Sequence, residues 1–100
     1  MNRERLNALF KFYKDFSEYD LKQGTEDPDR YTSVLPAFAN QKLIDLCERA
    51  LAPEMQADDK LEKSMRWLGF VQGVLWALDA FTVEDLKNHS HHDFLPPVWD

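Results

Sequence analysis

Arg66, Trp67, Gln72 and Trp76 stand close together in the stretch RWLGFVQGVLWALDAF, residues 66 to 81. Aromatic rings supply stacking area, while a guanidinium and an amide supply orientation, so the set suits either a protein-binding hot spot or a flat nucleotide-like ligand. Arg30 and Tyr31 offer the same chemistry from a preceding loop, and they are the further residues expected at such a ligand- or partner-binding site. Gln72 and Asp79 lie seven residues apart, on one face of a helix together with Met65. The plain alternative is that this face is the wetter edge of the helix, because a buried polar group without a partner costs about 1 to 3 kcal/mol.

Other reactive side chains point to little chemistry. His89, His91 and His92 with Asp93 are possible metal ligands, but their spacing matches no zinc signature. They read instead as a polar cluster beyond a helix end, so no metal and no cofactor are expected. Cys47 falls on an apolar helix face and reads as an inert core thiol that cannot form an internal disulfide. The chain carries no glycine-rich phosphate loop, no HExxH and no nucleophile elbow. The adjacent acids Asp58/Asp59 and Glu84/Asp85 suit helix N-termini. The expectation is a protein that is not an enzyme.

The elements that must position these residues follow from the apolar spacing. Leu6, Leu9, Phe10, Tyr13 and Phe16 recur at three- and four-residue intervals, with Phe12 and Tyr19 widening the stripe, and predict a helix over about 3–22 capped by Gly24. Pro28 and Pro36 bound a loop. Leu43, Leu46, Cys47, Ala50 and Leu51 line a second helix over 37–52, closed by Pro53. The third helix runs over 58–79. Thr82 and Asp85 then form a capping-box pattern, with Phe81 and Leu86 at the positions of a hydrophobic staple, and start a short helix over 83–88. The tail 89–100, with Pro96 and Pro97, reads as extended. The fold class is all-α: a single-domain bundle of three main helices with a short fourth helix and an extended tail.

The third helix is apolar around nearly its whole circumference, so more than one surface must cover it. Gly69, Gly73 and Ala77 recur every four residues, and each glycine costs about 1 kcal/mol of helix propensity relative to alanine. The stripe therefore predicts close packing, against another helix of the chain or against a second copy, which makes a homo-oligomer an expectation. The apolar run from Trp67 to Phe81 spans only fifteen residues, short of the about 18 to 20 that a membrane span needs, so no membrane association is expected. Acidic residues outnumber basic ones 18 to 12, which disfavours a direct grip on nucleic acid. One cysteine and a charged N-terminus without a signal-peptide pattern place the chain in the cytoplasm.

RWLGFVQGVLWALDAFTVEDLKNH, residues 66 to 89, resembles a segment of small uncharacterised proteins of tailed bacteriophages, in which an RWLG-QGVLW helix precedes FT and a short acidic helix. The resemblance covers about a quarter of the chain. It implies an infected host's cytoplasm and a counter-defence role, as an inhibitor of a host protein or a sponge for a nucleotide-like immune signal. Two alternatives stand beside it: an acidic mimic of nucleic acid that blocks a DNA-binding host enzyme, and a structural or assembly protein of the virion.

Overall fold

The computed structural model describes residues 2–26 and 37–91. Those residues form α1 (Arg3–Glu26), α2 (Ala37–Leu51), α3 (Leu61–Ala77) and α4 (Val83–His89), with single 3-10 turns at Pro53–Met55 and Asp58–Lys60. No strand occurs among them. The protein is an all-α bundle. Arg30, Tyr31 and the tail beyond His91 lie outside the described residues.

Helix α1 is the axis of the bundle. Its stripe buries Leu6, Leu9, Phe10, Phe12 and Tyr13, and these pack with Leu43, Cys47 and Ala50 of α2 and Leu68, Val71 and Leu75 of α3 in one core. Burying side chains of this size contributes about 1.5 to 3 kcal/mol each, which sets the helix faces. Hydrogen bonds between residues distant in sequence fix the directions. The Asn40 amide donates to Asp20 at one end of α1 (3.0 Å), and the Asn7 amide donates to Gln56 just past α2 at the other (2.7 Å), so α1 and α2 are antiparallel. Arg3 donates to Ser64 (3.1 Å) and Gln72 donates to Tyr13 (3.0 Å), so α3 runs parallel to α1. Phe81 packs on Phe16 and His89 on Phe12, so α4 returns antiparallel to α1.

Three boundaries differ from the sequence expectation by two residues or more. Helix α1 continues through Gly24 to Glu26, because an isolated glycine is a tolerable cost within a long helix; the described helix reaches to two residues before Pro28. The acidic start of the third element is a 3-10 turn over Asp58–Lys60, and α-geometry begins at Leu61. At its other end Asp79 lies beyond the helix, with φ of 61°. The Ala80 N–H bonds to the Leu75 carbonyl (2.9 Å) and the Asp79 N–H to the Trp76 carbonyl (3.1 Å), the bond pair of a Schellman motif with aspartate in the usual glycine position. Asp79 therefore terminates the helix and does not share a face with Gln72.

The fourth helix starts as expected. The Asp85 N–H donates to Thr82 Oγ1 and the Thr82 N–H to the Asp85 carboxylate, both at 3.0 Å. The second of these bonds holds the Asp85 carboxyl below its ordinary range. Phe81 and Leu86 both pack against the core. No helix among the described residues is long and apolar enough to cross a membrane.

Candidate docking groove on the third helix

Helix α3 turns Ser64, Leu68, Val71 and Leu75 into the core. Its opposite face remains open. Phe70 is 63% exposed, Trp76 54% and Met65 43%, although the sequence predicts cover on every side of this helix. Between α3 and α2 lies an apolar groove of about 310 Å³, lined by Lys42, Leu43 and Leu46 of α2 and by Phe70, Val74 and Ala77 of α3, with Leu78 and Ala39 at its end. Leu43 is buried, while Leu46, Val74 and Leu78 are partly buried core-packing residues. They make a fixed floor, and Phe70 stands over it as a wall.

Local sequence explains why the groove exists. Val74 and Leu78 belong to the flank of α3 that leans on α2, whereas Phe70 and Ala77 sit one position further round the helix, past the line of contact. Small side chains at Ala39 and Ala77 leave the gap unfilled. Among the described residues Lys42 is the one charged residue on the lining. The surface can take up apolar side chains, and it provides few partners for phosphate or ribose oxygens.

A second cluster lies on the other flank of α3 and is polar. Tyr13 is fully buried, and its hydroxyl accepts from the Gln72 amide and meets His89 Nδ1, each at 3.0 Å. With the amide donating to its oxygen, the buried hydroxyl uses its own proton only by donating to Nδ1, an arrangement that requires the neutral Nε2–H tautomer of His89. Gln72 also donates to Ser90 (3.3 Å). The His89 ring is held edge-on to Phe12 and Phe81, with centroids 4.9 and 4.7 Å away. Burial lowers its pKa, opposed in part by the nearby Asp85 carboxylate. Burial likewise raises Tyr13 to about 12, against the effect of the Gln72 bond. Arg5 donates to the carbonyls of His89 (3.5 Å) and His91, satisfying acceptors at the end of α4. The cluster anchors α4 to α1 and α3.

Among the described residues the expected site residues do not converge. Trp67 faces α2, between the Arg49 guanidinium (5.6 Å) and the Lys63 ammonium (5.4 Å). Gln72 faces α1 and α4. Arg66 is exposed, with its guanidinium 3.9 Å from Glu62 one turn back, a surface pair that contributes at most about 1 kcal/mol. Trp76 is exposed on the outer face, and the positions of Arg30 and Tyr31 lie outside the described residues. The reading of His89 as part of an exposed polar cluster is corrected: it is 7% exposed and closes α4 from within. Among the described residues no group of metal-ligating side chains occurs, and His92 and Asp93 are not among them. Cys47 is buried, and burial raises its thiol pKa to about 12.

The glycine stripe is also corrected in one respect. Among the described residues, no atom beyond the helix's own neighbouring backbone comes within 4 Å of where a Cβ would stand on Gly69 or Gly73, so these glycines pack against none of the other described helices. Phe70 and the α2 side of the groove escaped the sequence reading, because apolar residues on an all-round apolar helix give no sign of which will remain uncovered. No family model, curated protein or solved structure matches the chain.

Proposed function

We propose that this protein is a non-enzymatic binding protein of the small phage type that acts by occupancy: it inhibits a host protein in the host cytoplasm by docking it on the α2–α3 groove. The observation that carries the reading is the apolar groove walled by the 63%-exposed Phe70. Its size, near the lower end of ligand pockets at about 300 Å³, suits one or two apolar side chains of a partner helix or strand. The resemblance of residues 66 to 89 to tailed-phage proteins supplies the setting.

A protein partner is favoured over a nucleotide by the lining itself. A nucleotide's phosphates call for several convergent donors, and among the described residues Lys42 is the one cation along the groove. A nucleic-acid mimic is less well supported, because the depression that gathers Asp45, Glu48 and Glu54 on the outer side of α2 also contains Arg49. Lys11 and Lys14 likewise neutralise Asp15 and Glu18 on α1.

The test is affinity capture from infected cells with the wild type and with Phe70→Asp, followed by mass spectrometry of proteins and small molecules. Phe70 makes too little buried contact for its loss to unfold the bundle, which circular dichroism checks. The expected result is a host protein retained by the wild type and lost with the variant. Retention of a nucleotide, or an unchanged protein partner on the variant, overturns the groove as the docking site.

A further inference from the structure

The α2–α3 groove runs on past Phe70 into a cationic end. One turn back along α3 stands Trp67, and one turn past Leu46 on α2 stands Arg49, whose guanidinium lies 5.6 Å from the centroid of the Trp67 ring. Lys63 brings its ammonium to 5.4 Å from the same ring. Acids are at hand for both cations. Asp45 precedes Arg49 by four residues, the spacing of a helical ion pair, and Glu48 and Glu54 share the depression behind it. Asp45 instead accepts from the Gln41 amide (3.0 Å). Glu62, beside Lys63, lies 3.9 Å from Arg66, and Asp59 stands one turn before Lys63. Among the described residues no carboxylate forms an ion pair with Arg49, Lys63 or Lys42.

We propose that the groove takes an acidic apolar segment of the protein partner, with a carboxylate at the Trp67 end between Arg49 and Lys63 and a second one on Lys42. Charge complementarity selects this occupant. Two like charges held against one ring repel each other, and an incoming carboxylate relieves that repulsion while gaining both as partners. Lys42 and Arg49 are seven residues apart on α2, two turns or about 10.5 Å. Carboxylates seven residues apart in a partner helix match that distance, and so do carboxylates three apart in a strand. Apolar side chains between them meet Leu46, Val74 and Phe70. That apolar floor distinguishes a peptide from a free anion, which would leave it uncovered.

The acids of the chain limit the effect. Asp45, Glu48 and Glu54 offset part of the field of Arg49, so the ion pairs act at contact distance and fix the partner's register more than they drive its approach. Beyond Ala77 and Leu78 the exposed Asp79 repels any acid that extends past Lys42. The acidic occupant presupposes the groove as the docking site, whereas the groove does not presuppose the acid.

The probe is a displayed library of random peptides of about twelve residues, three helical turns, selected on the purified chain. The expected result is enrichment of sequences in which two Asp or Glu residues bracket an apolar pair. By fluorescence polarisation, replacing the bracketing acids of an enriched peptide with Asn or Gln should raise its dissociation constant by about three- to tenfold. Arg49→Gln and Lys63→Gln should weaken the parent peptide by a similar factor and leave the acid-free peptide unchanged, with circular dichroism confirming the fold. Enrichment without acids, enrichment of basic residues or no enrichment overturns the acidic occupant, as does a parent peptide indifferent to both cation variants. Acid-free apolar peptides that are lost on Phe70→Asp overturn the chemistry and leave the groove standing. Acidic peptides that bind Phe70→Asp unchanged count against the groove itself.

Discussion

The Tyr13–His89 hydrogen bond joins residues 76 positions apart and offers a sharp test of how α4 is held. Tyr13→Phe removes a hydroxyl that serves two partners. Gln72 is half-buried and keeps its bond to Ser90, so it can turn to water. His89 Nδ1 cannot, because the ring is buried against Phe12 and Phe81. The substitution should therefore cost about 1 to 3 kcal/mol, the penalty of one unsatisfied buried acceptor. For a chain of this size that lowers the melting temperature by about 4 to 8 °C per kcal/mol. His89→Leu leaves the tyrosine hydroxyl without its acceptor and loses the edge-on ring contacts. The double variant strands neither partner, so it should be more stable than the sum of the single changes by about 1 to 2 kcal/mol. Urea unfolding of the four proteins at pH 7.5 measures the cycle. A pH series adds a second arm. Burial lowers the folded-state pKa of His89, so the unfolded chain binds the proton more readily. The His89 contribution is complete above the unfolded value of about 6.5 and is lost as pH falls through that value to the folded one. The wild type should therefore lose more stability than His89→Leu between about pH 7.5 and 5.5, a range that stays above most carboxylate titration. Additive single effects together with parallel pH curves would refute the assigned tautomer and the coupling.

Three further outcomes follow from the helix ends and the open face. Among the described residues nothing stands within 4 Å of a Cβ at Gly69 or Gly73, so Gly69→Ala and Gly73→Ala should each stabilise the chain by about 1 kcal/mol in thermal melts; a loss of stability would mean that these positions are covered. Asp79→Gly should stabilise by about 0.5 to 1 kcal/mol, since the φ of 61° suits glycine better than aspartate. Thr82→Ala breaks the capping box and should cost about 1 kcal/mol, with faster amide exchange in α4 than in α1; equal protection would argue against the cap as the start of that helix.

What the sequence reveals about this fold is what depends on neighbours along the chain. The α1 stripe from Leu6 to Tyr13 lies in the core, Pro53 closes α2, and Thr82 with Asp85 caps α4, because spacing and capping are local properties. Asp79 misleads because an aspartate on helical spacing looks like a solvated helix position, whereas a Schellman end places it in left-handed geometry. Long-range polar pairs are hidden for a different reason. Gln72 needs a partner, and that partner is Tyr13, 59 residues away on what reads as a purely apolar stripe. A buried tyrosine must place its hydroxyl, so the stripe itself held the signal. His89 reads as the first residue of an exposed tail, yet it is the last residue of α4. The groove is the least visible of all. It lies between α2 and α3 around small Ala39 and Ala77, and no single segment contains it.

Docking at the groove depends most on Phe70 as the anchor, and the direct measurement is the dissociation constant of the captured host protein for the wild type and for Phe70→Asp. Burial of a phenylalanine side chain contributes about 1.5 to 3 kcal/mol, and an introduced carboxylate adds its own desolvation cost. Calorimetric titration should therefore find the variant weaker by at least about tenfold, with the bundle intact by circular dichroism. An unchanged dissociation constant for the folded variant would contradict the α2–α3 groove as the site through which this protein acts.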